Sequence, residues 1–194
     1  MIKSATDRRV LTADRIMLCA QTLTDEAGLD GFTMDDLATA AEVSRRTLFN
    51  YFPSKIDAVL GVFPILDPDD VDTFCSGGPD RDLVQDLRTL VLPLLRTDAL
   101  DRDVLARGRR IMLANPRLVA RVHEGYVDLS AQIVQHIITR EGPAFAAQRA
   151  RVAVGVLAAL FDAALDEYLV DPDERPIAFH FDESLRTARS LLGA

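Results

Sequence analysis

Apolar residues recur at helical spacing along nearly the whole chain, and no convincing strand alternation appears. Val10, Ala13, Met17, Ala20, Leu23 and Ala27 make one stripe, which predicts an amphipathic helix from Arg8 to about Ala27 with Gly28 as its C-cap. Met34, Leu37, Ala38 and Ala41 make a second stripe, and Leu48 and Phe52 are the inward positions of a third helix. A fourth helix starts at Lys55. Further helices are predicted near Asp80–Arg96, Asp101–Ala114, Pro116–Glu141, Pro143–Val170 and Asp182–Leu192, so the expected fold is all-α with about nine helices. Asn115-Pro116 and Gly142-Pro143 read as breaks in which the proline opens the next helix, and Pro93 should bend its helix or cut it short. Pro64, Pro68, Gly77, Gly78 and Pro79 make Phe63 to Asp80 read as a loose connection. The expected division is a head at residues 1–60 and a body at residues 61–194.

The head is the more informative part. In the run Gly31 to Leu60, Thr33 and Asp36 fit a capping box at the start of one short helix. Ala41-Glu42-Val43 is the expected turn, with Val43 as an apolar plug, and Ser44 caps a second helix from Arg45 to about Tyr51. Pro53 stops that helix, and Ser54 with Asp57 makes another capping box. This is the layout of a helix-turn-helix, with Arg45, Arg46, Thr47, Asn50 and Tyr51 on the outer face of its second helix.

Formal charge refines the picture. The chain carries −8, which argues against non-specific attraction to nucleic acid or anionic membranes over most of its surface. Between Val43 and Ile56, however, there are three basic residues and no acid. A polyanion selects for that local asymmetry. Arg45 and Arg46 carry planar forks suited to a guanine edge or a phosphate, and Asn50 to adenine or a phosphate. Thr33, Ser44 and Tyr51 are hydroxyl donors suited to phosphates, and Lys55 combines an ammonium with a helix N-terminus. Which arginine reads a base stays open at this point. Lys3, Arg8 and Arg9 suit either backbone contacts or a solvated tail.

The Gly31-Phe32-Thr33 lead-in, Leu37-Ala38-x-x-Ala41, Val43-Ser44 and Leu48-Phe49-x-Tyr51-Phe52-x-x-Lys55 closely resemble the DNA-binding domain of TetR-like transcriptional regulators, over roughly residues 8–60. Glu42 departs from that pattern, standing where such proteins usually have glycine. The resemblance implies operator contacts by Thr33, Ser44, Arg45, Arg46, Thr47, Asn50, Tyr51 and Lys55. It implies a homodimer through the last two helices, about 145–170 and 182–192, and a body that encloses an effector pocket. Met112, His123, Tyr126, Phe161 and Tyr168 are candidate pocket residues, although Tyr126 also fits a plain core stripe. Val152 to Phe161 is apolar on all sides, so it needs cover on more than one face.

Other classes fare worse. No Glu-x-x-His, His-Glu-x-x-His, Cys-x-x-Cys, Gly-x-Ser-x-Gly or glycine-rich phosphate loop occurs, so neither an enzyme nor a metal or other cofactor is expected. Cys19 and Cys75 make no disulfide framework. The N-terminus lacks the apolar segment of a secretory leader, and the longest apolar run is half a membrane span. The expected place is the cytoplasm. The reading is a homodimeric repressor of a double-stranded DNA operator, released by an unknown small-molecule effector. Two rivals stay open: the same head controlled by a protein partner without an effector, and a helical interaction protein that no longer binds DNA.

Overall fold

The structure is a computed structural model that describes residues 5–95 and 100–193, with the side chains of residues 5–7 left out. Lys3 and the predicted helix end at Arg96 therefore lie outside the described residues. Ten α-helices are present and no strand occurs among the described residues: α1 Ala5–Ala27, α2 Met34–Ala40, α3 Arg45–Tyr51, α4 Lys55–Leu60, α5 Pro68–Cys75, α6 Leu83–Val91, α7 Arg102–Ala114, α8 Pro116–Glu141, α9 Ala147–Val170 and α10 Ile177–Leu192. The all-α expectation holds. The chain divides into two compact units, one of Met1–Phe63 with Asp103–Gly125 and the other of Pro64–Arg102 with Tyr126–Ala194.

In the first unit, α1 to α4 close around Ile16, Ala20, Leu37, Ala41, Leu48, Phe52 and Ala58, with Ile111 of α7 and Leu118 of α8 in the same core. Ile16 is fully buried and belongs to the α1 stripe, whereas Val10 and Ala27, both expected there, are exposed. The local starts follow from side-chain chemistry. The Thr33 hydroxyl accepts from the Asp36 amide while the Asp36 carboxylate accepts from the Thr33 amide at 2.8 Å, completing the capping box. Ser44 accepts from the Thr47 amide and Ser54 from the Asp57 amide. Gly31 is fixed by space: a Cβ there would lie 2.1 Å from the Ala27 carbonyl oxygen.

The α2–α3 turn uses a left-handed residue. Glu42 has φ of 51°, the conformation that costs an L side chain ~1–2 kcal/mol. Val43 follows, half-buried, its amide donating to the Ala38 carbonyl at 3.0 Å.

In the second unit, the segment Phe63–Asp80 corrects the expectation of a loose connection, because it contains α5. Asp67 caps that helix through the Asp69 and Asp70 amides, Pro68 occupies the first turn, and Phe74 is buried. This helix brings the total from about nine to ten. Pro93 does cut α6 short, since Leu92–Leu95 forms a 3-10 turn. α8 opens on Pro116 as expected, but α9 begins at Ala147 rather than Pro143, and α10 begins at Ile177 rather than Asp182. Residues 143–145 turn ahead of α9, with the Phe145 amide donating to the Gly142 carbonyl. Arg140 pins the α5–α6 loop: it pairs with Asp86, both side chains being almost fully buried, and donates to the Phe74 and Gly78 carbonyls. Asp171 binds Arg175 bidentately and meets His180 Nε2 at 3.0 Å, which makes His180 a satisfied core histidine.

Two expectations follow for stability. Glu42→Gly should raise the unfolding free energy by about 1 kcal/mol by removing the left-handed penalty, read as a higher urea midpoint at unchanged m; a lower midpoint contradicts the strain. Asp25 beside Arg110, Asp30 beside Arg117, and Asp36 bonded by Thr33 all have carboxyl pKa values below their usual range. Their contribution is complete above the unfolded carboxylate value near pH ~4 and is lost as pH falls through the lower folded values. The urea midpoint should therefore hold between pH 7 and 5 and decline below about pH 4; a midpoint that stays level into strong acid contradicts this account.

Candidate nucleic-acid interface

The outer face of α3 takes its shape from what the helix buries. Leu48 and Phe52 are sunk in the core, so Arg45, Arg46, Phe49 and Asn50 are exposed, and Thr47 and Tyr51 are half-buried. Ser44 caps the helix, and its hydroxyl lies 2.8 Å from that of Thr47. Arg46 and Asn50 make no hydrogen bond, ion pair or ring contact among the described residues. They are thus free for an incoming acceptor. The Arg9 guanidinium lies 5.7 Å from the centre of the Tyr51 ring, which adds a cation beside this face.

Arg45 is not free. Its Nη1 donates to Asp35 Oδ2 at 2.9 Å, and its guanidinium lies 5.6 Å from the Phe49 ring centre. Lys55 is also committed. Its ammonium donates to the Leu29 carbonyl at 2.8 Å and the Phe32 carbonyl at 2.7 Å, and it sits over the Phe32 ring. It thereby ties the α1–α2 loop to α4. The Thr33 hydroxyl bonds the Asp36 carboxylate in the cap while staying exposed.

Within the same unit, arginines of α7 and α8 grip the acids of the head. Arg110 binds Asp25 through two bonds of 2.7 and 2.9 Å, Arg117 binds Asp30, and Arg121 binds Asp57 while stacking over Phe63. Arg107 donates to the Thr22 hydroxyl. Each exposed pair adds little to stability, but together they neutralise carboxylates that would repel a polyanion. Gly108 lies under this grip, and a Cβ there would come within 2.9 Å of the Gln21 amide nitrogen and push that side chain aside.

The expected pocket residues divide between the two units. Met112 packs against the head core and His123 is exposed, both in the first unit. In the second unit Tyr126 is exposed, Tyr168 is buried beneath Arg102, and Phe161 stacks on Phe181 at 4.5 Å. One cavity of about 540 Å³ is an open surface groove lined by Asp72, Thr73, Ser76, Gly77, Gly78, Pro79 and Arg81. None of the expected residues is among them. No group of three or more His, Cys, Asp or Glu suited to a metal ion occurs among the described residues. No helix of the described residues is long and apolar enough to cross a membrane.

Sequence reasoning overlooked Asp35 and Phe49 as members of this face. Phe49 was legible as an aromatic four residues after Arg45, a spacing that stacks the pair on one side of a helix. The Asp35–Arg45 pairing joins two helices, and no spacing rule marks it.

The geometry defines a helix-turn-helix head with a cationic, hydrogen-bonding second helix, the architecture of a DNA reader. Residues 17–59 match the model of bacterial regulatory proteins, tetR family, over the helix-turn-helix of the head. Among solved structures, the chain is similar to a candidate TetR-family transcriptional regulator from Mesorhizobium loti MAFF303099, at 17% identity and a TM-score of 0.47, covering 97% of this chain and 98% of that one. It is also similar to Thermus thermophilus FadR, a TetR-family transcriptional repressor in complex with lauroyl-CoA, at 26% identity and a TM-score of 0.47, covering 90% and 91% of the two chains. No curated protein sequence matches the chain.

The placement of Lys55 separates fold from contact. Lys55→Ala should lower the unfolding free energy by about 2 kcal/mol through two lost charge-assisted hydrogen bonds, measured by urea denaturation. An unchanged midpoint would mean that the ammonium does not hold the loop.

Proposed function

We propose that the protein is a homodimeric transcriptional repressor that binds a palindromic operator through Arg45, Arg46, Thr47, Asn50 and Tyr51, with Ser44 and Thr33 on flanking phosphates. The observation that carries this reading is the exposed face of α3, where Arg46 and Asn50 stand without partners inside a head that matches the tetR-family model. Lys55 is assigned to the fold, because its ammonium already serves two carbonyls.

A palindrome needs two heads about 34–36 Å apart to reach successive major grooves, and α9 offers a surface for pairing. Its buried side holds Ala150, Val154, Leu157, Leu160, Ala164 and Tyr168. Its other side exposes Val152, Gly155, Val156, Ala159 and Ala163, a stripe at helical spacing. Small residues there permit close approach of a second copy, with α10 packed beside α9. Release by a small-molecule effector acting on the second unit completes the proposal; it is supported by the family of the head and works by favouring a state of lower operator affinity.

The test is binding of the whole protein to duplex fragments from beside its own gene across a salt series. Saturable binding with a log–log salt slope of about −0.9 per phosphate contact is expected. The double variant Arg45→Ala/Arg46→Ala should lose operator binding at least ~100-fold with unchanged unfolding and self-association. Val156→Asp should shift the protein to monomer in sedimentation equilibrium and weaken operator binding. Retained binding in the arginine variant contradicts the assignment of α3, and an unshifted dimer contradicts the α9 interface.

A further inference from the structure

We propose that Arg45 is the guanine reader of each half-site and that Asp35 is the residue that makes it one, by holding the guanidinium in place and by turning it away from phosphate. This rests on the DNA-reading function proposed above and settles a division of labour between two adjacent arginines that the sequence leaves open.

The two arginines sit in different surroundings. Arg46 is exposed and unpartnered among the described residues, on the same side of α3 as Asn50. Nothing fixes its long side chain, so it can follow a phosphate as the helix settles. Arg45 has two contacts although its side chain is 67% exposed: Nη1 donates to Asp35 of α2, and the ring centre of Phe49, four residues on, lies 5.6 Å from the guanidinium carbon. The ring and the carboxylate together narrow the directions in which the fork can point. Nη2 and Nε make no bond among the described residues. Reading guanine requires two coplanar donors aimed at O6 and N7, whereas a phosphate accepts a cation from many directions. A fork with a narrowed direction therefore favours the base.

Asp35 adds a selective effect through charge. It is exposed, pairs only with Arg45 among the described residues, and lies in the DNA-facing head. A carboxylate there weakens attraction to any phosphate backbone and so weakens binding to every sequence alike. Its pairing with Arg45 recovers affinity only where a guanine completes the contact. A residue that lowers non-specific binding while sharpening a base preference raises the specificity ratio. The pair is too exposed to be a fold requirement.

The experiment is selection of the whole protein on a duplex pool with a randomised 20-base-pair core, followed by binding to the enriched site and to random duplex, for the unsubstituted protein, Asp35→Asn, Asp35→Glu, Arg45→Ala and Arg46→Ala. The unsubstituted protein should enrich a palindrome with one strongly preferred guanine per half-site. Arg45→Ala should relax that position by ~10-fold or more and leave the other positions intact. Asp35→Asn should relax the same position while binding random duplex more tightly, and Asp35→Glu should restore the preference. Arg46→Ala should weaken all sequences evenly and flatten the salt slope by about one phosphate contact. Base relaxation in Arg46→Ala with uniform loss in Arg45→Ala overturns the proposal while leaving DNA reading intact. An Asp35→Asn preference identical to the unsubstituted one overturns the role of Asp35. Enrichment of no site by the unsubstituted protein overturns the DNA-reading function itself, and this assignment with it.

Discussion

A helix of seven residues such as α3 does not hold itself together in water, because nucleation costs more than so few hydrogen bonds return. Its existence depends on burying Leu48, and the Phe52 that follows it, in the core of the first unit. Everything proposed for the reading face depends on that burial. It decides which side chains look outward, and the Glu42 turn together with the Ser44 cap decides at what angle. The left-handed cost at Glu42 is carried by a core that α1, α4, Ile111 and Leu118 complete from other parts of the chain.

The charge of this acidic chain is segregated between its two units. The first unit contains twelve Lys and Arg against eleven Asp and Glu, and the second contains ten against nineteen. The balance in the first unit comes from residues 103–125, which hold five arginines against Asp103 and Glu124. Three of these arginines sit on Asp25, Asp30 and Asp57. Three acids of the head are thus neutralised by ion pairs away from α3, which leaves Asp35 as the acid paired with that helix. Net charge summed over residues 1–60 hides this, because the compensating arginines lie 64 to 87 residues away in sequence.

What the sequence made legible was local. The starts of α2, α3 and α4 follow from Thr33, Ser44 and Ser54 and the residues three positions later, and each is where the caps predict. α8 begins on its proline for the same reason. α5 was obscured because its proline was read as a breaker, whereas Asp67-Pro68 is a cap followed by a first-turn proline. The starts of α9 and α10 were misplaced because neither Ala146 nor Pro176 makes a side-chain cap, so no residue announces them. In the candidate site, the types of residue were readable and their partners were not. Lys55 resembles a phosphate ligand until its ammonium is seen between two backbone carbonyls, and Arg45 resembles Arg46 until Asp35 is seen beside it.

The most direct test of the account is amide hydrogen exchange of the whole protein with and without saturating duplex DNA carrying its selected site. Slowed exchange concentrated in residues 44–51, with a smaller effect at the Thr33 cap, is the predicted result. Protection that falls on α5 or α10 while α3 exchanges as before would contradict the assignment of α3 as the DNA-reading surface.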